Sequence, residues 1–338
     1  MNPVKLSLDG RRVLVTGATG FVGRHVVRRL VERDAFVKAL VRNPEKAERL
    51  LPRPGVELIR GDITDPEAVR AACSECDFVF HVAGVIAGTG NEDRMEAVNV
   101  RGTQTVADAA LAEGVRRFVH VSTVAVYGPE QSRTINEHSP RTESKDPYGS
   151  TKRRAEEYVR ELHHSRQLPA IIVQPGDIYG PEDHHGWTTR PLELIRSGKA
   201  LLPDGGRGRL ALIYIDDLVV GLLDAAERGR AGQSYILCGD EDQRVADLFE
   251  YIRNISGAKP IRSLPLWIAR TGAVVMEAIA PLFGKRPLVS RAELRLLTRY
   301  GGFDNSKAKD ELGFRPHTSL SEGMQAVQQW LRSAGYLD

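Results

Sequence analysis

Tyr148 and Lys152 stand four residues apart in the run Asp146-Pro147-Tyr148-Gly149-Ser150-Thr151-Lys152. On a helix that spacing sets two side chains on one face, about one turn from each other. A phenol with an ordinary pKa of about 10 is a poor base at neutral pH, but a neighbouring ammonium stabilises the phenolate and lowers that value. A tyrosine so tuned can give or take the proton on a substrate oxygen while a nicotinamide exchanges hydride with the carbon beneath it. Upstream, Ser122 and Thr123 follow an apolar run. One of these hydroxyls, Thr123 as first choice and Ser122 as second, would hydrogen-bond the same oxygen and stabilise developing charge. The four residues suit carbonyl–alcohol redox chemistry.

Such chemistry needs a dinucleotide beside it. The stretch Val15-Thr16-Gly17-Ala18-Thr19-Gly20-Phe21-Val22-Gly23 places three glycines where a strand turns into a helix. Arg12 to Thr16 is a short apolar run suited to a buried parallel strand, and Phe21 to Arg33 then shows helical spacing at Val22, Val26, Val27 and Leu30. Glycine at this turn permits backbone conformations closed to other residues. It also lets a diphosphate approach the N–H groups at the helix start, where the dipole favours negative charge. Gly17, Thr19, Gly20, Phe21, Val22 and Gly23 form the candidate cofactor-binding turn. A second strand, Phe36 to Val41, ends at Arg42 with no carboxylate between Phe36 and Asn43. An acidic residue there would bind the ribose 2′-hydroxyl of NAD, whereas a basic one accommodates the NADP phosphate. NADP is therefore the favoured cofactor and NAD the alternative.

The elements that position these groups alternate along the chain. Val56 to Arg60 is a third strand leading into Asp62 and Ile63, with Thr64 or Asp65 placed to cap the next helix and Pro66 in its first turn. Phe78 to Val82 is a fourth strand running into Ala83-Gly84, whose small side chains leave room for a flat cofactor. Glu92 to Gly114 reads as one long helix with Asn99 in its first half, and Arg117 to Val121 is a fifth strand that delivers Ser122 and Thr123. After a polar loop from Pro129 to Lys145, Asp146 and Pro147 start the helix of Tyr148. This order predicts an α/β fold with a doubly wound parallel sheet, whose ligands bind at the carboxyl ends of the strands. Residues 1–174 are read as the dinucleotide-binding domain. Residues 175–338 are read as mainly a smaller C-terminal substrate lobe, with some segments returning to the first domain.

Thr16 to Gly23, Asp62, His81-Val82-Ala83-Gly84, Asn99-Val100-Arg101-Gly102-Thr103, Ser122-Thr123 and Tyr148 to Lys152 resemble the extended short-chain dehydrogenase/reductases. The resemblance continues through Pro175-Gly176-Asp177-Ile178-Tyr179-Gly180-Pro181, Tyr214-Ile215-Asp216-Asp217-Leu218 and Leu312-Gly313-Phe314-Arg315-Pro316, nearly the whole chain. It implies a Rossmann fold in which Asp62 holds the adenine and Ile63, Val82, Ala83 and Gly84 join the cofactor site. It implies Thr123, Tyr148 and Lys152 in catalysis, Lys152 also gripping the nicotinamide ribose, and Pro175, Gly176 and Ile178 bordering the nicotinamide. Asn99 falls in a motif that shapes the site, and the helices carrying Asn99 and Tyr148 to His164 resemble those through which relatives form homodimers. Gln174, where Arg is common, and Tyr214, where His is common, depart from the pattern near the cofactor or substrate edge.

Within that family, a dehydratase would carry an Asp-Glu pair directly after the catalytic hydroxyl, but Val124-Ala125 follow Thr123. A nucleotide-sugar diphosphate wants arginines in the C-terminal part. Arg207 and Arg209 precede a strand expected at Leu210 to Ile215, yet Leu210, Ala211 and Leu212 occupy the positions nearer Asp216-Asp217. The segment Ser263 to Pro287 instead supplies an apolar cover suited to a hydrophobic carbonyl compound, with Trp267 and its neighbours read as completing the core. The chain thus resembles the 3-beta-hydroxysteroid dehydrogenase and dihydroflavonol reductase branch, an oxidoreductase acting on a steroid- or flavonoid-like small molecule. A UDP-sugar 4-epimerase with tightly bound NAD is the alternative. A catalytically silent cofactor sensor is the third reading, and the presence of both Tyr148 and Lys152 argues against it.

The 338 residues carry a net charge of +3 from 47 basic and 44 acidic side chains, without the one-sign blocks of a nucleic-acid partner. Cys73, Cys76 and Cys238 are too few for a secreted disulfide framework, which points to the cytoplasm. Met1 to Arg12 lacks the apolar run of a signal peptide. Leu264 to Phe283 is interrupted by Arg270 and Glu277 and bracketed by Pro265 and Pro281, short of the roughly 20 mostly apolar residues of a spanning helix. It reads as an amphipathic helix without stable membrane insertion. No ligand set joins His163-His164 or His184-His185, so no metal is expected. His184, His185 and Trp187 are placed to touch substrate instead.

Overall fold

A computed structural model describes residues 6–86, 92–128, 133–142, 146–279 and 289–337. The apolar runs become the strands β1 (Arg12–Thr16), β2 (Phe36–Val41), β3 (Val56–Arg60), β4 (Phe78–His81), β5 (Arg117–Val121) and β6 (Ala170–Pro175). With the Ser234–Leu237 strand they form one seven-stranded sheet in the order Ser234–Leu237, β6, β5, β4, β1, β2, β3. All pairings are parallel. Burial on both faces explains why the inner runs β1, β4, β5 and β6 are continuous rather than alternating. Val13, Val15, Phe80, Val119 and Val121 pack to one side, in a cluster with Val26, Val27 and Leu30 of the Phe21–Glu32 helix and Leu218 and Leu222 of the Ile215–Arg228 helix. Leu14, Val79, Phe118 and Ile172 pack to the other, against residues of the Pro66–Cys73, Thr103–Ala112 and Pro147–Arg166 helices. The chain reverses its direction of winding between β1 and β4, and the crevice at that switch point is where an open sheet of this kind binds ligand.

Later residues build a smaller apolar cluster around Tyr179, Leu192, Leu210, Leu248, Phe249 and Met324. The Ser234–Leu237 strand returns to pair with β6, so the chain after Gln174 contributes to both bodies.

Three expectations are corrected by the structure. Glu92 to Gly114 is not one α-helix but a short turn, Glu92–Met95, a π-helical segment, Glu96–Gly102, and an α-helix, Thr103–Ala112. At Gly102 a Cβ would lie 2.5 Å from Ile63 Cδ1, so this segment presses directly on the strand-end residue. The strand expected at Leu210 to Ile215 breaks at Ala211 into Arg209–Leu210 and Leu212–Tyr214, because the Ala211 N–H donates to Asp177 Oδ2 at 2.9 Å. Finally, Trp267 does not complete the core. It is 71% exposed, with Val274, Val275 and Ile279 also exposed, and Ala273 alone is buried in the Leu266–Ile279 helix. Residues 280–287 of the expected apolar cover lie outside the described residues, as do 129–132 and 143–145 of the polar loop. Among the described residues no helix is long and apolar enough to cross a membrane. Cys73, Cys76 and Cys238 are buried free thiols.

Candidate active site

β1 feeds directly into Gly17, whose φ of +70° lies in the left-handed region that favours glycine. A Cβ there would stand 2.7 Å from the Ala83 backbone nitrogen, and one at Gly23 would stand 2.1 Å from Gly17 O. The turn is therefore closed to side chains at both positions. Gly20 begins the Phe21–Glu32 helix without a side-chain cap, and no acidic residue occupies its first turn. The helix start is thus left to an external anion. Thr19, Phe21 and Val22 are partly exposed around it.

At the far end of the crevice, β2 and β3 finish at Arg42 and Asp62. Their side chains are 4.0 Å apart and both reach solvent. Asp62 Oδ1 accepts from the Thr64 N–H at 3.0 Å and from its hydroxyl at 2.8 Å, which leaves Oδ2 facing Arg42. Ile63 is buried against Gly102.

Between the two ends lie Val82 and Ala83, partly buried, and Gly84, exposed. Just before them His81 is fully buried, its ring bonded to Thr16 Oγ1 at 2.8 Å and to Thr103 Oγ1 at 2.9 Å. Burial, reinforced by the charge of Lys152, holds its pKa down to about 3. Asn99 accepts from the Val85 N–H at 2.8 Å and donates to Val85 O at 3.0 Å and to Thr151 Oγ1 at 3.1 Å. The π-helical segment carrying it is thereby tied both to the chain after β4 and to the helix of Tyr148.

Asp146 caps that helix by accepting from the Tyr148 and Gly149 N–H groups. The turn after β5 presents Thr123, whose hydroxyl accepts from the Ala125 N–H at 3.2 Å and acts on the Tyr148 phenol nearby. Ser122 is buried, and its hydroxyl has no hydrogen-bond partner among the described residues. Lys152 is also buried and donates to Val121 O at 2.7 Å. Its pKa is brought down to about 8 by burial, opposed by Glu156. The spacing of Tyr148 and Lys152 predicts a lowered phenol, but burial pushes Tyr148 up to about 12, opposed by Thr123 and aided by Asp146. The lysine, not the tyrosine, carries the downward shift.

Along the last edge, a Cβ on Gly176 would stand 2.1 Å from Ala211 O, so Pro175 and Gly176 run hard against that broken strand, with Ile178 partly buried beyond them. Asp177 is fixed by Ala211 and by Arg299, whose Nη2 lies 2.8 Å away. Gln174 is fully buried between the Tyr127 hydroxyl and Glu156 rather than at the edge. Tyr214 packs edge-on against Tyr179 with ring centres 5.6 Å apart. Arg299 and Glu156 carried no motif in the sequence, although Glu156 stands four residues past Lys152 and so shares its helical face. His184 bonds Tyr336 at 3.0 Å and His163 bonds Leu168 O at 2.8 Å. Among the described residues no three His, Cys, Asp or Glu side chains are grouped to hold a metal. Arg207 pairs with Asp204, and Arg209 with Asp242 at 3.4 Å.

The glycine cradle, the uncapped helix start and the Arg42–Asp62 end fit a dinucleotide. A family model described as NAD dependent epimerase/dehydratase matches residues 13–238. The chain is 29% identical to a 4-hydroxy-2-methyl-3-oxo-4-farnesyl-3,4-dihydroquinoline-1-oxide ketoreductase of Stigmatella aurantiaca, aligning 94% of this chain with 96% of that one. It is also 29% identical to a 2-alkyl-3-oxoalkanoate reductase of Shewanella oneidensis, with 96% and 91% covered. Its fold is similar to that of DesIV, a dTDP-glucose 4,6-dehydratase of Streptomyces venezuelae solved with NAD bound. That likeness has a TM-score of 0.77 at 25% identity and covers 97% of this chain and 99% of the other.

Proposed function

Because the chain belongs to the NAD dependent epimerase/dehydratase family, we propose that it transfers a hydride between a nicotinamide dinucleotide and a fairly apolar ketone or secondary alcohol, in the manner of a ketoreductase. The observation that carries this reading is the convergence of Thr123 on the Tyr148 phenol, with buried Lys152 one turn along the same helix. When bound in the cradle of Gly17, Gly20 and Gly23, the dinucleotide supplies or accepts the hydride. Thr123 orients the substrate oxygen and donates to it as charge develops. Tyr148, a neutral phenol held up to about 12, keeps its proton until that oxygen becomes basic and then gives it up. The Lys152 ammonium lowers the cost of the phenolate left behind. This protonation state suits the reductive direction.

The names of the two reductases support an apolar carbonyl substrate. Arg42, exposed at the end of β2, favours NADP over NAD. Residues 1–174 serve the cofactor and 175–338 mainly the substrate. The helical segments carrying Asn99 and Tyr148 to His164 form the homodimer face, and buried free cysteines suit a cytoplasmic location. The nucleotide-sugar epimerase reading needs arginines free for a diphosphate, whereas Arg207 and Arg209 are engaged by Asp204 and Asp242.

The test is to follow NADPH and NADH binding by fluorescence, then absorbance on adding a panel of apolar ketones. Tighter NADPH binding with oxidation supports the reading. Co-purified NAD, no ketone turnover and conversion of a nucleotide sugar without net redox change would replace it with the epimerase.

A further inference from the structure

Beside Lys152 the fold buries a carboxylate that the reaction above does not use. Glu156 lies one helical turn past Lys152 on the same face and is fully buried. Its Oε1 accepts from Gln174 Nε2 at 2.8 Å, and Gln174 is itself oriented by the Tyr127 hydroxyl, which donates to its carbonyl oxygen at 2.8 Å. The second oxygen faces two cations, Arg141 at 3.3 Å and Arg160 at 3.6 Å. A carboxylate taken out of water needs partners of this kind.

Among the described residues, Glu156 is the one charged group that acts on Lys152. His81 and His120, from β4 and β5, are fully buried and held neutral by burial and by the lysine itself. Tyr148 is a neutral phenol, and Arg141 and Arg160 are cations paired with Glu156. We propose that Glu156 is a positioning residue for Lys152: aimed by Gln174 and balanced by Arg141 and Arg160, its fixed charge keeps the ammonium in place against the Val121 carbonyl. The proposal rests on the reading of Lys152 as part of the site.

Arg141 extends the device to the surface. It belongs to segment 133–142, crosses the Tyr127 ring at 5.4 Å and is partly exposed. The segment is pinned by the Thr142 hydroxyl donating to Tyr127 O at 2.8 Å and by Glu137 accepting from the Ile236 N–H at 2.8 Å. Charge balance at Lys152 is thereby set partly from a chain segment outside the sheet.

The test is an NMR titration of the full chain labelled with 15N-lysine, in which the Lys152 Nζ signal is identified by its loss in Lys152→Arg. Glu156→Gln should lower the Lys152 midpoint by about one unit, a roughly tenfold weaker hold on the proton. Arg141→Gln should raise it by about half a unit, and Arg141→Lys should restore the original value. Looser packing alone would admit water and raise the midpoint in every variant, so the opposite signs are diagnostic. An unchanged or raised midpoint in Glu156→Gln overturns the proposal. Should that variant fail to fold by circular dichroism, the Arg141 pair decides, and equal midpoints in Arg141→Gln and Arg141→Lys overturn it. The titration uses neither cofactor nor substrate, so its failure is distinct from failure of the ketoreductase reading.

Discussion

The Asn99 carboxamide closes a ring of two hydrogen bonds with the Val85 backbone, accepting from its N–H at 2.8 Å and donating to its carbonyl at 3.0 Å. Since Asn99 also donates to Thr151, one fully buried side chain sets the distance between the chain after β4 and the Tyr148 helix. Asn99→Leu leaves those backbone groups unpaired, at about 1–3 kcal/mol for each buried one. Thermal unfolding should fall by several degrees and dinucleotide affinity should drop. An unchanged melting temperature would show that the ring is incidental.

Gly23→Ala places a methyl 2.1 Å from Gly17 O, whereas at Gly10, with a φ of +67°, nothing lies within 4 Å. Dinucleotide binding, read by fluorescence, should weaken by about tenfold or more in Gly23→Ala, while Gly10→Ala, strained but remote, leaves it nearly unchanged. Equal effects in the two variants would deny the turn its role.

Arg42→Ala removes the cation at the end of β2. On the NADP reading, NADPH affinity falls about tenfold, the scale of one charge-assisted phosphate contact, and NADH affinity is spared. Parallel losses for both cofactors would rule out Arg42 as the group that selects the 2′-phosphate.

Acid should loosen the fold through the buried imidazoles. His81 is lowered from 6.5 to about 3, and His120 moves in the same direction. Below the unfolded value, the unfolded chain takes up protons that the folded chain refuses. The stability these groups leave intact above pH 6.5 is therefore lost as pH falls towards about 3. His120 stacks on His81 with ring centres 5.6 Å apart, and both its nitrogens lack partners among the described residues. His120→Phe should keep the packing and flatten the fall in urea midpoint between about pH 7 and 5. A slope equal to the original would rule out His120 as a contributor.

The sheet was readable because β1, β4 and β5 are apolar runs buried on both faces, and each of β1 to β5 is closed by a Gly, Pro or cap signal. β4 stops at His81, one residue short of the expected Val82. The π-helical segment was hidden because its cause is tertiary: Gly102 meets Ile63, and Asn99 is spent on Val85. Trp267 misled because an apolar pattern states what can be buried and not what covers it. The Tyr148–Lys152 spacing revealed the pair but not its protonation, since burial acts on each group separately and the lysine turns to Val121 O. Gln174 looked like an edge residue until its two buried partners were placed.

The central claim is that Tyr148 moves the proton in a hydride transfer. The most direct measurement compares single-turnover oxidation of bound NADPH by an accepted ketone in the original chain and in Tyr148→Phe, after cofactor binding is measured in both. Near-equal binding is expected, with a rate reduced by about a hundredfold or more, within the range typical of a positioned acid. An unchanged rate with unchanged binding would contradict it.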